Sequence, residues 1–389
     1  LWVTDGTAAG TNMVADINPG AASSNPANFT FLNNVIYFSA NNTTNGVELW
    51  KYDGAVASLV EDIFPGSGSS SPSFLVESNG TILFQATNGI RGNELWITDG
   101  SAANTKLVAD INPDGSSLPN LLTPGNPVYF AANNGTSGFE VFKYDNSGGI
   151  QNIKTKLYVN DNSTAGDVFT TAIGNNANAG TAAAPYASLQ YAITQASPGA
   201  TIYVDAGAYS EQVIIDKGIT IIGAGQTLTL FTPPVTSLVP APGPFTEIGL
   251  FETTQNIGDV HISGLSINSN NASQNIIIQS GGSVKNCTLL NGNQGIFFRI
   301  ESATKTAVIE NNIIQPQGIG INCQGAGLTA VIKNNTITNS TEFFSGIFAG
   351  LDFGPLPSLT VTNNIINNYA SYGIGILGAS YNGTINQNS

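Results

Sequence analysis

From residue 262 onward, apolar and polar positions alternate in short runs that recur at a nearly constant interval. Blocks beginning at Ile262, Val284, Ile309, Ile332, Val361 and Ile385 align with one another at spacings of 22, 25, 23, 29 and 24 residues. Alternation with a period of two predicts strands that bury one face. A repeat of this length predicts one turn of a parallel β-helix per interval, with loops of variable length between strands. A second run follows in each interval. Ile296, Phe298 and Ile300 align with Ile319, Ile321 and Cys323, then with Ile347, Ala349 and Leu351, then with Ile374 and Ile376. Cys323 fills an isoleucine position, as a core thiol would. Asn312, Asn335, Asn364 and Asn388 hold one position of the coil, with Cys287 at its head. Asparagines stacked at the strand spacing hydrogen-bond along the axis. These five therefore read as a structural column and not as ligands.

Ahead of the coils, Leu189, Ala192, Ile193 and Ala196 share one helical face. Pro185 suits a first turn and Ser197-Pro198-Gly199 a stop, so the pattern predicts a helix over 185–196. Short alternating strands are expected over 201–204, 212–215 and 219–222. The first 150 residues have a longer period. Leu1-Trp2, Leu49-Trp50, Leu95-Trp96 and Val141-Phe142 recur at 48, 46 and 46 residues, and Asp16-Ile17, Asp62-Ile63 and Asp110-Ile111 at 46 and 48. One repeat holds four β-like runs, at 35–40, 47–52, 58–63 and 73–77, separated by turn-forming clusters. Four strands in about 40–50 residues is the size of a propeller blade. The recurring Trp50 and Trp96 either pack between blades or stack on sugars, and they are the candidate glycan-binding residues. The recurring aspartates either fix turns or bind calcium.

Two stretches carry family resemblances. The segment PYASLQYAITQASPGATIYVDAGAYSEQVIIDKGITIIGAG resembles the N-terminal cap of the pectin-lyase-like superfamily of right-handed parallel β-helices. Ala200 stands where that family usually has Asp, and Ala208 where it often has Thr. LWVTDGTAAGTNMVADINPG and ELWITDGSAANTKLVADINPDG resemble the ELW-x-TDGT repeats of large secreted proteins from Bacteroidetes-type bacteria. Together they imply an all-β chain with propeller-like ELW repeats followed by a right-handed parallel β-helix with an N-terminal α-helical cap. The expected organisation is about three repeats over 1–149, a linker and lead-in strand over 150–183, and the β-helix over 184–389. The chain starts inside a repeat and stops inside a coil, so it is expected to be part of a longer protein. The resemblance adds an upstream signal peptide and a downstream type IX secretion sorting domain to that expectation.

Composition narrows the chemistry. Charged residues are 9% of the chain, against about 25% in an ordinary soluble domain. Eleven basic and 25 acidic residues leave a net charge of -14, which repels nucleic acid. No run of 18 apolar residues offers a membrane span. Asp161 and Asp167, in a polar loop, are candidate calcium ligands, and no other cofactor is implied. Glycan-cleaving β-helices need clustered carboxylates or a metal beside a base, and from Gly218 onward the few charges form no such set. Lys285, Glu310 and Lys333 align as a surface column, and His261 sits in a strand. No catalytic residue is assigned.

The leading expectation is an extracellular, cell-surface adhesin or a matrix- and glycan-binding scaffold of a Gram-negative bacterium. The second is a glycan-active β-helix enzyme, a polysaccharide lyase or hydrolase, with its site on loops such as 343–356. The third is a self-associating surface filament subunit.

Overall fold

The computed structural model describes every residue except 136–137, 146–148, 243–246, 256, 272, 301–303, 326–327, 339–344, 351–357, 369–372, 377–382 and 387–389. The chain folds as two units, Leu1–Ile153 and Lys154–Ser389.

The first unit is a series of antiparallel meanders. A two-stranded ribbon, Trp2–Val3 with Asn12–Met13, precedes them. The next sheet runs Ala27–Leu32, Val35–Asn41, Val47–Tyr52, Ala57–Glu61, and the one after it Ser73–Ser78, Thr81–Thr87, Asn93–Thr98, Lys106–Ala109. A third comprises Val128–Asn133, Phe139–Asp145 and Gly149–Asn152, with Asn120 bridging Ala131 at its edge. The run at 73–77 thus opens the sheet that follows it and does not close the one before. Local backbone geometry explains this. Asn79 and Gly80 have φ of 47° and 81°, the left-handed pair of a two-residue hairpin, and they join Ser78 directly to Thr81. Asn33 and Asn34, with φ of 50° and 63°, do the same between Leu32 and Val35.

Apolar side chains fill the spaces between successive sheets. Trp50 packs with Ile17, Phe38 and Ala40. Trp96 packs with Leu32, Leu49, Ile63 and Ile82. Val76, Leu83 and Leu95 meet Val128, Phe130 and Phe142. Each meander alone would leave one apolar face in water, so packing against the next sheet is what stabilises it.

The second unit is a parallel β-helix of the right-handed type. Three parallel sheets run along it. The first has nine strands, from Lys156–Val159 to Gly383–Asn386, the second seven, from Gly207–Ser210 to Ile365–Asn367, and the third seven, from Val213–Ile215 to Ile374–Ile376. The helix takes its first strand at Lys156, inside the stretch expected to hold a linker and lead-in strand. The blocks that align in sequence also pair in space, with Ile262, Val284, Ile309, Ile332, Val361 and Ile385 in one column.

Each block holds two strands where the pattern suggested one. The break is a single left-handed residue, Gly264, Asn286, Asn311, Asn334 or Asn363, with φ of 70°, 52°, 59°, 56° and 56°. Asparagine tolerates that conformation better than other side-chain-bearing residues, so the turn recurs without glycine.

The second run needs a correction. Ile296 pairs with Ile321 and Phe298 with Cys323, two residues away from the expected alignment. Ile321 in turn pairs with Ile347, and Ile347 with Ile374. A two-residue slip preserves the inward–outward parity of every side chain, so the hydrophobic pattern cannot reveal it. Leu351 lies outside the described residues.

The helix α1 spans Leu189–Gln195, four residues shorter at its start than expected. Tyr186 donates its N–H to the Tyr158 carbonyl and accepts from the Asn160 N–H, which holds 185–187 extended beside the first strand. Ser188 then caps the helix by accepting from the Tyr191 N–H, and the Glu211 carboxylate accepts from the Ser188 hydroxyl and the Leu189 and Gln190 N–H groups. Leu189, Ala192 and Ile193 lie buried against the first coil and close its end.

Candidate functional site

The expected site residues fall in three separate places. Trp50 and Trp96 are only 9% and 8% exposed, packed between sheets. Each ring packs among apolar side chains of the first unit. Asp62 and Asp110 fix turns: Asp62 accepts from Asn45 and from the Gly66 N–H, and Asp110 pairs with Arg91 at 2.6 Å.

The repeats also contain a buried glutamate that their pattern did not point to, ahead of Leu49-Trp50 and of Leu95-Trp96. Glu48 is fully buried and accepts from the Ile63 N–H, the Ser70 N–H and the Ser70 hydroxyl. Glu94 repeats the arrangement with Ile111 and Ser117. Burial pushes the Glu48 carboxyl up to about 7, against the opposing hydrogen bonds from Ser70, Ile63 and Phe64. Burial raises Glu94 in the same direction, and the charge of Asp110 adds to it. The sequence signal was the recurrence of an acid next to two apolar residues, a position that strand alternation places inside.

In the helix, Asn312, Asn335 and Asn364 are buried in one column. The Asn335 Oδ1 accepts from the Asn312 N–H at 3.0 Å and from its Nδ2 at 2.9 Å, and Asn364 serves Asn335 at the same two distances. The spare amide hydrogens go to the carbonyls of Val284, Ile309 and Ile332. Cys287 heads the column by donating its N–H to the Asn312 Oδ1. Asn388 lies outside the described residues. Cys287 and Cys323 are free and buried, and burial pushes both thiols up to about 12, far from a reactive thiolate.

Asp161 and Asp167 sit in the loop after the first strand. Asp161 accepts from the Ser163 and Ala208 N–H groups, and Asp167 from the Asn160 amide. The organising carboxylate of this loop is Asp205, which the sequence reading did not single out. It accepts from the N–H groups of Val168, Phe169, Thr170 and Ala206 and from the Thr170 hydroxyl. Burial pushes its carboxyl up, but these donors outweigh burial and leave it below the ordinary carboxylate value. Among the described residues no group of three or more His, Cys, Asp or Glu side chains is arranged to hold a metal.

The outer face of the third sheet is the most distinctive surface. Its central column is Ile214, Glu252, Ile277, Phe297, Asn322, Phe348 and Gly375. Gln279, Arg299 and Gln324 lie beside it. Glu252, Ile277, Phe297 and Asn322 are 1%, 2%, 4% and 3% exposed although they point away from the core, so the face is recessed. Part of the cover is the loop after Thr229–Thr232. Gln212 holds that loop by donating to the Val239 carbonyl and accepting from the Val239 N–H, and the Ala241 N–H reaches Glu252. Arg299 pairs with Glu247 of the same loop at 2.8 Å. Asn322 donates to Gln294, whereas the Asn322 Oδ1 and the Gln279 Oε1 are buried without a donor. Buried acceptors without partners are uncommon in folded proteins and mark a place for a donor.

Other outer charges described on the coils are paired. Lys285 and Lys333 lie 3.3 and 3.0 Å from the two oxygens of Glu310, Lys305 pairs with Asp259, and His261 Nδ1 meets the Ser283 hydroxyl. The loop 343–356 falls mostly outside the described residues.

A family model described as a protein of unknown function (DUF1565) matches residues 172–387, more than half of the chain. No curated protein matches it. Among solved structures, the pectin methylesterase PemA from Erwinia chrysanthemi is similar with a TM-score of 0.35 and 9% identity, over 59% of this chain and 92% of its own.

Proposed function

The chain belongs to the DUF1565 family, whose description assigns no activity, and we propose that it is a non-catalytic scaffold that binds neutral glycans at a bacterial cell surface. The observation that carries this reading is the outer face of the third sheet. There the amides of Gln279, Asn322 and Gln324 stand beside the rings of Phe297 and Phe348, and two amide oxygens lack donors. Such a lining suits a ligand with hydroxyl donors and apolar C–H surface. Charge points the same way. Of the carboxylates described beyond Gly218, Glu247, Asp259 and Glu310 are tied to basic side chains, and Glu252 is buried under the Ala241 and Gly249 N–H groups. Hydrolysis of a glycan by the usual acid–base route requires two carboxyls facing one bond.

The test is a glycan-array screen of the full chain beside a depolymerisation assay on the glycans that bind. Binding to neutral oligosaccharides is expected to fall at least tenfold in Asn322→Leu, without release of products from the unaltered protein. Product release abolished by Glu252→Gln would replace this reading with the enzymatic one. Concentration-dependent fibres without glycan binding would replace it with self-assembly.

A further inference from the structure

We infer that Glu48 and Glu94 are proton-operated clasps, each holding the strap between two successive sheets of the first unit and holding it more firmly when protonated. The geometry is the same in both copies. Glu48 takes the Ile63 N–H at 3.1 Å and the Ser70 N–H at 2.9 Å, so one carboxyl grips both ends of the strap that leads from Ala57–Glu61 to Ser73–Ser78. Glu94 takes the Ile111 N–H at 3.0 Å and the Ser117 N–H at 2.8 Å on the next strap. Two independent copies separated by 46 residues argue for a device and not an accident of packing.

A serine makes the clasp able to accept a proton. In the ionised form the Ser70 hydroxyl donates to Glu48, and the Ser117 hydroxyl to Glu94. Each hydroxyl also lies within reach of the carbonyl just before its glutamate, 3.4 Å for Ser70 to Val47 and 3.2 Å for Ser117 to Asn93. When the carboxyl takes a proton from solvent, its O–H donates to the serine oxygen, and the serine turns its own hydrogen to that carbonyl. No covalent bond other than the new O–H forms or breaks. Both N–H groups of the strap keep their acceptors. Hydrogen bonding is therefore complete in both states, and what changes is that a buried negative charge is removed.

Charged neighbours do not offset that charge. Around Glu48 the ionisable groups on the packed elements are Lys51, Tyr52 and Asp53 on or just after its own strand, Tyr37 on the preceding strand, Glu61 and Asp62 at the start of the strap, and Glu77 on the following sheet. Lys51 Nζ is engaged by the Gly100 carbonyl. Around Glu94 they are Arg91, Asp99, Lys106, Asp110, Asp114 and Tyr129, and Arg91 is paired with Asp110. The folded-state value of Glu48, about 7, exceeds its ordinary 4.5. A carboxyl raised on folding adds stability that is complete below the ordinary value and lost as pH rises through the folded one, here from about 4.5 to about 7.

All three tryptophans, Trp2, Trp50 and Trp96, belong to the first unit, so their fluorescence reports its unfolding selectively. Urea unfolding of the full chain, followed by fluorescence from pH 5 to pH 8, should give a folding constant that falls with pH, by up to about tenfold per pH unit for each clasp. Glu48→Gln with Glu94→Gln copies the protonated hydrogen-bond pattern and should flatten that dependence. Should the double variant not fold, infrared spectra of the unaltered protein at pH 6 should retain a protonated-carboxyl band that vanishes by pH 8.5. Stability that rises with pH across this window, a double variant with the unaltered slope, or no such band would overturn the inference.

Discussion

Both units of this protein repeat a strand motif and must tether the loops between copies, yet they use different chemistry. The first unit tethers its straps with a buried glutamate, and the β-helix stacks asparagines from coil to coil. Each Asn in the column donates and accepts at once, so it serves the coil on either side without carrying a charge. Each Glu is an acceptor for at least three donors when ionised, and its burial is costly in that state. The difference teaches that a repeat can be made pH-insensitive or pH-responsive by one side chain at the tether. Spacing explains the choice. Parallel coils place equivalent residues at the strand separation, where amide meets amide. In the first unit each glutamate lies on a different sheet and is satisfied by its own strap.

The comparison can be broken most decisively at the middle of the asparagine column. Asn335→Leu removes the five hydrogen bonds of that side chain and takes from the Asn312 N–H its acceptor in the column. A loss of roughly 3–5 kcal/mol is expected, seen as a lower urea midpoint by circular dichroism, with the tryptophan-reported transition unmoved. An equal shift of both transitions would mean that the two units do not unfold independently.

A smaller effect, opposite in sign to that of the glutamates, is expected at Asp205. Its carboxyl is held below the ordinary 3.8, so its contribution is present above that value and lost as pH falls through the folded one. The Asp205 contribution should thus be lost only in acid, below the ordinary carboxylate value, a range in which the first unit retains the full contribution of its clasps. Asp205→Asn should cost about 1–3 kcal/mol at pH 7 and remove that acid step, measured by circular dichroism melts from pH 2 to pH 7.

The smallest effect belongs to the Lys285–Glu310–Lys333 column. The lysine side chains are 40% exposed and the pairs lie at the surface, so Glu310→Gln should change stability by less than about 1 kcal/mol, and less again in 0.5 M salt. A larger loss would show that register in the first sheet depends on charge and not on the apolar columns beneath it.

Much of the helix was legible because its period is written in residues that face a core. The column from Ile262 to Ile385 and the amide stack from Asn312 to Asn364 follow from alignment alone. The second run was legible in parity but not in register, since Ile296 and Ile321 differ from the expected partners by two positions. The recessed face of the third sheet was not legible. Glu252, Phe297 and Asn322 come from three coils with no shared motif, and only parallel pairing puts them side by side. Trp50 and Trp96 show the converse. Their recurrence was plain, but a recurring ring reads the same whether it packs or binds.

By itself, the sequence determined the repeat lengths, the inward faces of the strands and the uncharged outer surface, because these depend on local alternation and composition. Tertiary structure decided which strand begins each meander, where α1 starts, how the coils register and which acids are buried. Those outcomes turn on hydrogen bonds between residues far apart in the chain, such as Glu48 with Ser70 or Asp205 with Thr170, whose partners no local pattern names.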